Sequence, residues 1–213
     1  MRYWTECRAF YRQFRDQYGT TGSVMPSSRA LARALTRPMR ACPSPRRVLE
    51  VGPGTGAVTR EIVRTLRPGD RLEIVEINAS FVEVVRRRFE EELDFRRKTL
   101  QTRVIHSAIQ DVEGRAVYDV MISGIPLNNF AVPLVRDIFA AYRRLLRPGG
   151  VLSYFEYLLI RSLKMLLLRG DERARLRALS RLLEGEIAAH QIREQWVFPN
   201  VPPAVARHFR FAT

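Results

Sequence analysis

The chain has 213 residues, 46% of them hydrophobic, enough for one domain with an ordinary core and too few for two comfortable ones. Lys and Arg total 36 against 22 Asp and Glu; the formal charge of +14 implies an anionic partner, nucleic acid or an acidic lipid surface, or else a composition that simply favours arginine. Cys7 and Cys42 have neither C-x-x-C spacing nor histidine neighbours, so no metal site or disulfide framework is expected, and no apolar run reaches the roughly 18 residues of a bilayer span.

Residues 2 to 18 read as a helix. At ~100° per residue, Tyr3, Trp4, Cys7, Phe10, Tyr11, Phe14 and Tyr18 share an arc of ~120°, with Arg8, Arg12 and Arg15 along one border. This face suits an interfacial helix, with rings at the headgroup boundary (~1.5 to 3 kcal/mol each) and guanidiniums on lipid phosphates (~1 kcal/mol each). It equally suits a lid packed on the domain, and a lid at the mouth of a lipid site would do both. With no apolar signal core at this end, the expected compartment is the cytoplasm. Gly19 to Ser23 breaks the helix, Pro26-Ser27-Ser28-Arg29 opens another with a serine N-cap, and Arg37-Pro38 ends it. Residues 1–46 thus read as an N-terminal anchor or lid of two helices, and residues 47–213 as the main domain.

From Arg47 onward strands and helices alternate, which argues a parallel sheet with helices on both faces. Strands are expected at Arg47 to Val51, Arg71 to Ile77, Thr102 to His106, Tyr118 to Ser123 and Val151 to Tyr157; helices at Ala57 to Leu66, Ser80 to Leu93 and Leu134 to Leu146. Arg147-Pro148-Gly149-Gly150 reads as a tight turn. The stretch from Arg161 to Ala189 is helical, with Leu176, Leu179, Leu182 and Leu183 on one side for core packing, or Arg169, Arg173 and Arg177 for membrane contact. Gln191 to Phe198 and Val205 to Phe211 form an antiparallel hairpin at a sheet edge. The fold class is α/β, Rossmann-like.

The chemistry concentrates at Val48 to Val63. Three glycines, Gly52, Gly54 and Gly56, lie between an apolar strand and an amphipathic helix, where the backbone turns sharply and delivers a ligand to unpaired helix N–H groups. A dinucleotide fingerprint is one reading. Glu50 opposes it, because a carboxylate at the strand mouth repels a pyrophosphate and suits a ligand that carries an ammonium. S-adenosylmethionine is such a ligand, and Glu76, at the end of the second strand, stands where a ribose diol is gripped. Glu50-x-Gly52-x-Gly54-x-Gly56 resembles motif I of the class I methyltransferases.

Three more segments resemble the peripheral bacterial phospholipid N-methyltransferases: Gly22-Ser23-x-x-Pro26-Ser27-Ser28-Arg29, Ser123-Gly124-Ile125-Pro126-Leu127-Asn128, and Asn200-x-Pro202-Pro203-Ala204. The resemblance implies a class I methyltransferase fold and transfer of methyl groups from S-adenosylmethionine to an amine headgroup. Phosphatidylethanolamine, methylated stepwise towards phosphatidylcholine, is the expected substrate, with S-adenosylhomocysteine as the other product; ornithine lipid is the alternative. It also implies peripheral attachment to the anionic inner face of the cell membrane. Carried over residue by residue, Glu50, Gly52, Gly54 and Gly56 hold the methionine part, Glu76 and Ile77 the ribose side, and Ser107 and Ala108 the adenine. Ser123 is assigned to both cofactor and substrate. Asn128, Asn129, Glu156 and Tyr157 are the remaining candidates near the reacting amine, and Tyr18 and Tyr157 suit a cation–π contact with its product. An rRNA adenine N6-methyltransferase would also suit the charge, but it needs an Asn-x-Pro-aromatic loop, and the aligned residues are Gly124-Ile125-Pro126-Leu127, so no nucleic-acid partner is expected.

Overall fold

A computed structural model describes residues 27–158 and 170–211. The expected helix over residues 2 to 18, with Tyr18, and the start of the helix expected from Arg161 lie outside the described residues.

The described helices are α1 (Arg29–Leu35), α2 (Arg37–Ala41), α3 (Ala57–Thr65), α4 (Ala79–Glu91), α5 (Leu93–Arg96), α6 (Val132–Leu145) and α7 (Gly170–His190). Seven strands, β1 (Arg47–Val51), β2 (Arg71–Glu76), β3 (Thr102–His106), β4 (Tyr118–Ser123), β5 (Leu146–Tyr157), β6 (Gln191–Val197) and β7 (Ala204–Phe209), form one sheet in the order β3-β2-β1-β4-β5-β7-β6. The first five are mutually parallel, and β7 runs antiparallel to both β5 and β6. The central strands β1 and β4 are buried on both faces, which is why they read as nearly continuous apolar runs.

Each face carries its own helical layer. Leu49, Met121, Phe139, Tyr142, Tyr154 and Phe209 pack with α6 and α7 on one side, where Leu176, Leu179 and Leu183 give α7 its buried stripe. On the other side Val48, Ile62, Ile74, Val85, Val120 and Ile122 pack with α1 to α5. Leu31, Leu35 and Met39 belong to this second core, so α1 and α2 are built into the domain.

Two local readings differ. Pro38 does not terminate helical structure; it sits in the first turn of α2, where a missing N–H costs nothing, and Thr36 joins the two short helices. The segment Arg147 to Gly150 lies inside β5 as an interruption: Tyr118 pairs with Leu146 and Val120 with Val151, so the intervening residues loop out of the ladder. At the amino end of the strands, Arg46 and Asp70 form a fully buried ion pair, closed by the Arg46 and Arg67 amides at 2.9 and 2.8 Å from the carboxylate and by the Ser44 hydroxyl.

Candidate active site

From β1 the chain builds outward through β2 and β3, then returns to place β4 on the other flank of β1. This reversal opens a crevice at the carboxyl ends of β1 and β4, where open α/β sheets bind ligands. The glycine loop leaves β1 there and the Ser123-Gly124 loop leaves β4. They touch so closely that a Cβ on Gly124 would stand 2.4 Å from the Gly52 carbonyl oxygen, inside any permitted contact. Gly54 works differently: its φ is +55°, which disfavours a side chain, yet nothing lies within 4 Å of where one would point. The loop therefore presents bare backbone to open space.

Two buried carboxylates flank that space. Glu76 is 2% exposed and accepts hydrogen bonds from the Asn78 amide at 2.8 Å and the Gly54 amide at 3.4 Å; burial pushes its carboxyl up and these amides oppose the rise. Glu50 is 1% exposed and neither of its oxygens has a hydrogen-bond partner among the described residues. Burial pushes its carboxyl up to about 8, the Glu76 charge adds to this, and the Thr59 hydroxyl, near but short of hydrogen-bond geometry, opposes it together with Arg88. Arg88, on α4, also donates to the Gly56 carbonyl at 2.7 Å and so pins the end of the loop. In the sequence it is the third arginine of a run, with nothing to single it out.

Glu76, Ile77, Ser107 and Ala108 line one cleft beside Gly52, together with an apolar wall of Ile125, from the loop after β4, Phe130, and Leu134 and Ile138, which had read only as helix. Ser107 is anchored there through its amide to the Glu76 carbonyl at 3.0 Å, and its hydroxyl donates to the Ala108 carbonyl at 3.0 Å.

The residues expected near the reacting amine are not gathered at one point. Ser123 is fully buried; its hydroxyl lies 2.7 Å from the Tyr142 hydroxyl and accepts from the Ile125 amide at 3.2 Å, so it braces the β4 loop. Asn128 and Asn129 lie on a short turn over Leu127–Asn129, and the Asn128 Oδ1 is buried without a partner among the described residues. Glu156 accepts from the Tyr154 hydroxyl at 2.8 Å and pairs with Arg207 at 3.8 Å, on the α6 and α7 side of the sheet. Tyr157, one residue on, points to the opposite side, edge-on to Phe155 with ring centroids 5.2 Å apart.

A family profile described as a methyltransferase domain matches residues 48–150, from β1 into β5. The chain is 30% identical over 138 residues, 64% of its own length and 71% of the relative's, to the ornithine lipid N-methyltransferase of Singulisphaera acidiphila. The chain belongs to the class I methyltransferase family that includes the ornithine lipid N-methyltransferases. Two solved structures share the methyltransferase's fold. One is the Burkholderia thailandensis 1,6-didemethyltoxoflavin-N1-methyltransferase bound to S-adenosylhomocysteine, with TM-score 0.66, 16% identity and coverage of 98% of this chain and 90% of that one. The other is the N-methyltransferase NodS of Bradyrhizobium japonicum in complex with S-adenosylhomocysteine, with TM-score 0.61, 14% identity and coverage of 85% and 86%.

The methyltransferase depends on S-adenosylmethionine, and its residues fit that cofactor. The unpartnered Glu50 carboxylate suits an ammonium, the exposed backbone at Gly54 leaves room for an amino-acid tail, and the Ile125 and Phe130 wall suits a flat ring. When bound, the cofactor supplies an electrophilic methyl on a sulfonium. Among the described residues no helix of this N-methyltransferase is long and apolar enough to cross a membrane.

Proposed function

We propose that the enzyme methylates the headgroup amine of a membrane lipid while resting on an anionic membrane surface. One observation carries the reading: Asn200, in the β6–β7 turn, accepts a hydrogen bond from the Ser28 amide at 2.8 Å, which joins two separated segments of lipid-methyltransferase character at the carboxyl end of the sheet, the end that bears the glycine loop. Beside Asn200, the side chains of Trp196, Phe198 and Val201 are 55%, 68% and 63% exposed, an apolar tip suited to a headgroup layer. Ser28, the N-cap of α1, lies at this same corner.

In this reading Glu76 orients the ribose, Glu50 the ammonium of the cofactor, and Ser107 and Ala108 border the adenine. A lipid amine that resembles Lys, of pKa ~10.4, is neutral about once in 2,500 at pH 7, a cost of ~4.6 kcal/mol, whereas alignment at attack distance contributes ~7 to 11 kcal/mol. Proximity thus outweighs deprotonation, and a single acceptor is enough to orient the amine. Asn128 is the candidate whose buried acceptor has no partner among the described residues; Glu156 is already engaged by Tyr154 and Arg207. The name of the curated relative makes ornithine lipid the first headgroup to test, with phosphatidylethanolamine second.

Full-length enzyme with methyl-labelled cofactor, offered vesicles of each lipid and ribosomal RNA in parallel, is expected to label lipid. Label in RNA, or in neither, would overturn the proposal.

A further inference from the structure

At the amino end of the parallel strands, remote from the glycine loop, the sheet and α2 enclose a second cavity of about 350 Å³. Val120 and Val151 form its sheet side, Pro38 and Ala41 its α2 side, and Arg37, Arg193 and Arg210 stand round it. Some arginines of this protein find carboxylates, as in Arg40–Glu61, Arg64–Asp94 and Arg143–Glu186. Others, such as Arg87 and Arg103, have none among the described residues, so what sets the cavity's arginines apart is their convergence on one buried histidine. These three make no ion pair and no side-chain hydrogen bond among the described residues. The nearby carboxylate, Asp119, is taken by the Arg47 amide at 2.7 Å and the Arg147 guanidinium at 2.8 Å.

The buried polar side chain of the cavity is that of His208, 2% exposed. Its Nδ1 lies 2.8 Å from the hydroxyl of Ser153, itself fully buried, and its Nε2 has no partner among the described residues. Burial, together with the charges of Arg193 and Arg37, holds the imidazole pKa down at about 4, so the ring is neutral at neutral pH. The neutral ring carries its hydrogen on either nitrogen; in the tautomer in which Ser153 donates to Nδ1 the hydrogen sits on Nε2 and faces the cavity as a donor, the form that an anion there would select. Three guanidiniums without carboxylate partners among the described residues, around one buried ring nitrogen that can donate, suit a compact anion with several acceptor oxygens.

We propose that this cavity binds a small dianion of the phosphate or phosphate-monoester class, gripped by Arg37, Arg193 and Arg210 and by the Nε2–H of His208. Because it opens at the opposite ends of the strands from the cofactor cleft, its ligand is distinct from the cofactor and from a lipid at the mouth of that cleft.

Full-length protein labelled with ¹⁵N in its three histidines, His106, His190 and His208, tests the proposal, with His106→Gln and His190→Gln assigning the signals by subtraction. Titration with inorganic phosphate or glycerol phosphate is expected to shift the His208 Nε2 signal to saturation and to leave the other two in place. Arg37→Gln combined with Arg193→Gln, both at exposed positions, should weaken that binding by roughly tenfold or more while S-adenosylhomocysteine binds as before. No saturable shift at His208, equal drift of all three histidines, an effect of anionic vesicles alone, or unchanged affinity in the double variant would each overturn it.

Discussion

Asn200 holds both ends of one corner of the fold: its Oδ1 accepts from the Ser28 amide, 172 residues away in sequence, and its Nδ2 donates to the Pro202 carbonyl at 2.7 Å. Ser28 in turn caps α1, accepting from the Leu31 amide at 3.2 Å on its hydroxyl. A single 2% exposed amide side chain thus sets where the start of α1 meets the β6–β7 turn. Asn200→Ala leaves a backbone donor and acceptor unmatched, and should cost ~1 to 3 kcal/mol in urea unfolding. Asn200→Asp keeps the acceptor for Ser28 but sets a buried carboxylate against the Pro202 carbonyl, so it should cost at least as much at neutral pH and less once acid protonates the side chain; a smaller loss than that of Asn200→Ala at neutral pH would argue that the Pro202 contact contributes little.

The Glu50 carboxyl, lifted to about 8 by burial, is protonated in the ligand-free enzyme at pH 7. An ammonium beside it favours the carboxylate, so binding should expel close to one proton, and affinity should rise with pH towards about 8, beyond which an α-amino group of pKa ~7.7 to 8.0 loses its own charge. Calorimetry in buffers of different ionisation enthalpy reads that proton directly. Glu50→Gln should release none, and wild-type enzyme that also releases none would separate Glu50 from the ammonium.

Glu76 is locked by the Gly54 and Asn78 amides, so its oxygens are already oriented before any ligand arrives. Glu76→Ala should weaken S-adenosylhomocysteine binding by roughly tenfold or more, the equivalent of one good charge-assisted contact. Wild-type affinity would take Glu76 out of the site.

At the other end of the sheet, burial alone would raise Asp70, but hydrogen bonds from Arg46, Ser44 and the Arg67 amide outweigh it and hold the carboxyl at about 2. A depressed carboxyl stabilises the folded state above its unfolded pKa of 3.8, and that contribution disappears as pH falls through about 2. Acid titration of stability should therefore show a loss of about 2 to 3 kcal/mol in this window. Asp70→Asn should flatten that step and, by stranding the buried Arg46, cost about 3 to 5 kcal/mol at neutral pH.

Membrane contact is divided in the proposed reading between the aromatic face of residues 2 to 18 and the Trp196, Phe198 and Val201 tip. Deletion of residues 1–18 should abolish sedimentation with anionic vesicles. Replacing Trp196 and Phe198 together with Ala should weaken it in proportion to the apolar area lost, each ring contributing ~1.5 to 3 kcal/mol if fully buried. Binding unchanged by either alteration would refute the corresponding contact.

Much of this protein was determined locally. Continuous apolar runs mark β1 and β4 because both faces are covered, Ser28 caps its helix through neighbours three residues away, and the glycine loop declares itself because glycine adopts its three positive backbone angles without a steric cost. Those features depend on residues close together in the chain. Tertiary structure decided which strand-end side chains are spent. Ser123 lies against Tyr142, Glu156 lies beneath Tyr154 beside Arg207, and Tyr157 points to the other side of the same strand. Arg88 reached the Gly56 carbonyl from another helix, and Ser28 found Asn200 across nearly the whole chain. The physical reason is common to all: a hydrogen bond between distant segments is fixed by strand register and helix packing, neither of which leaves a mark on the residues beside it.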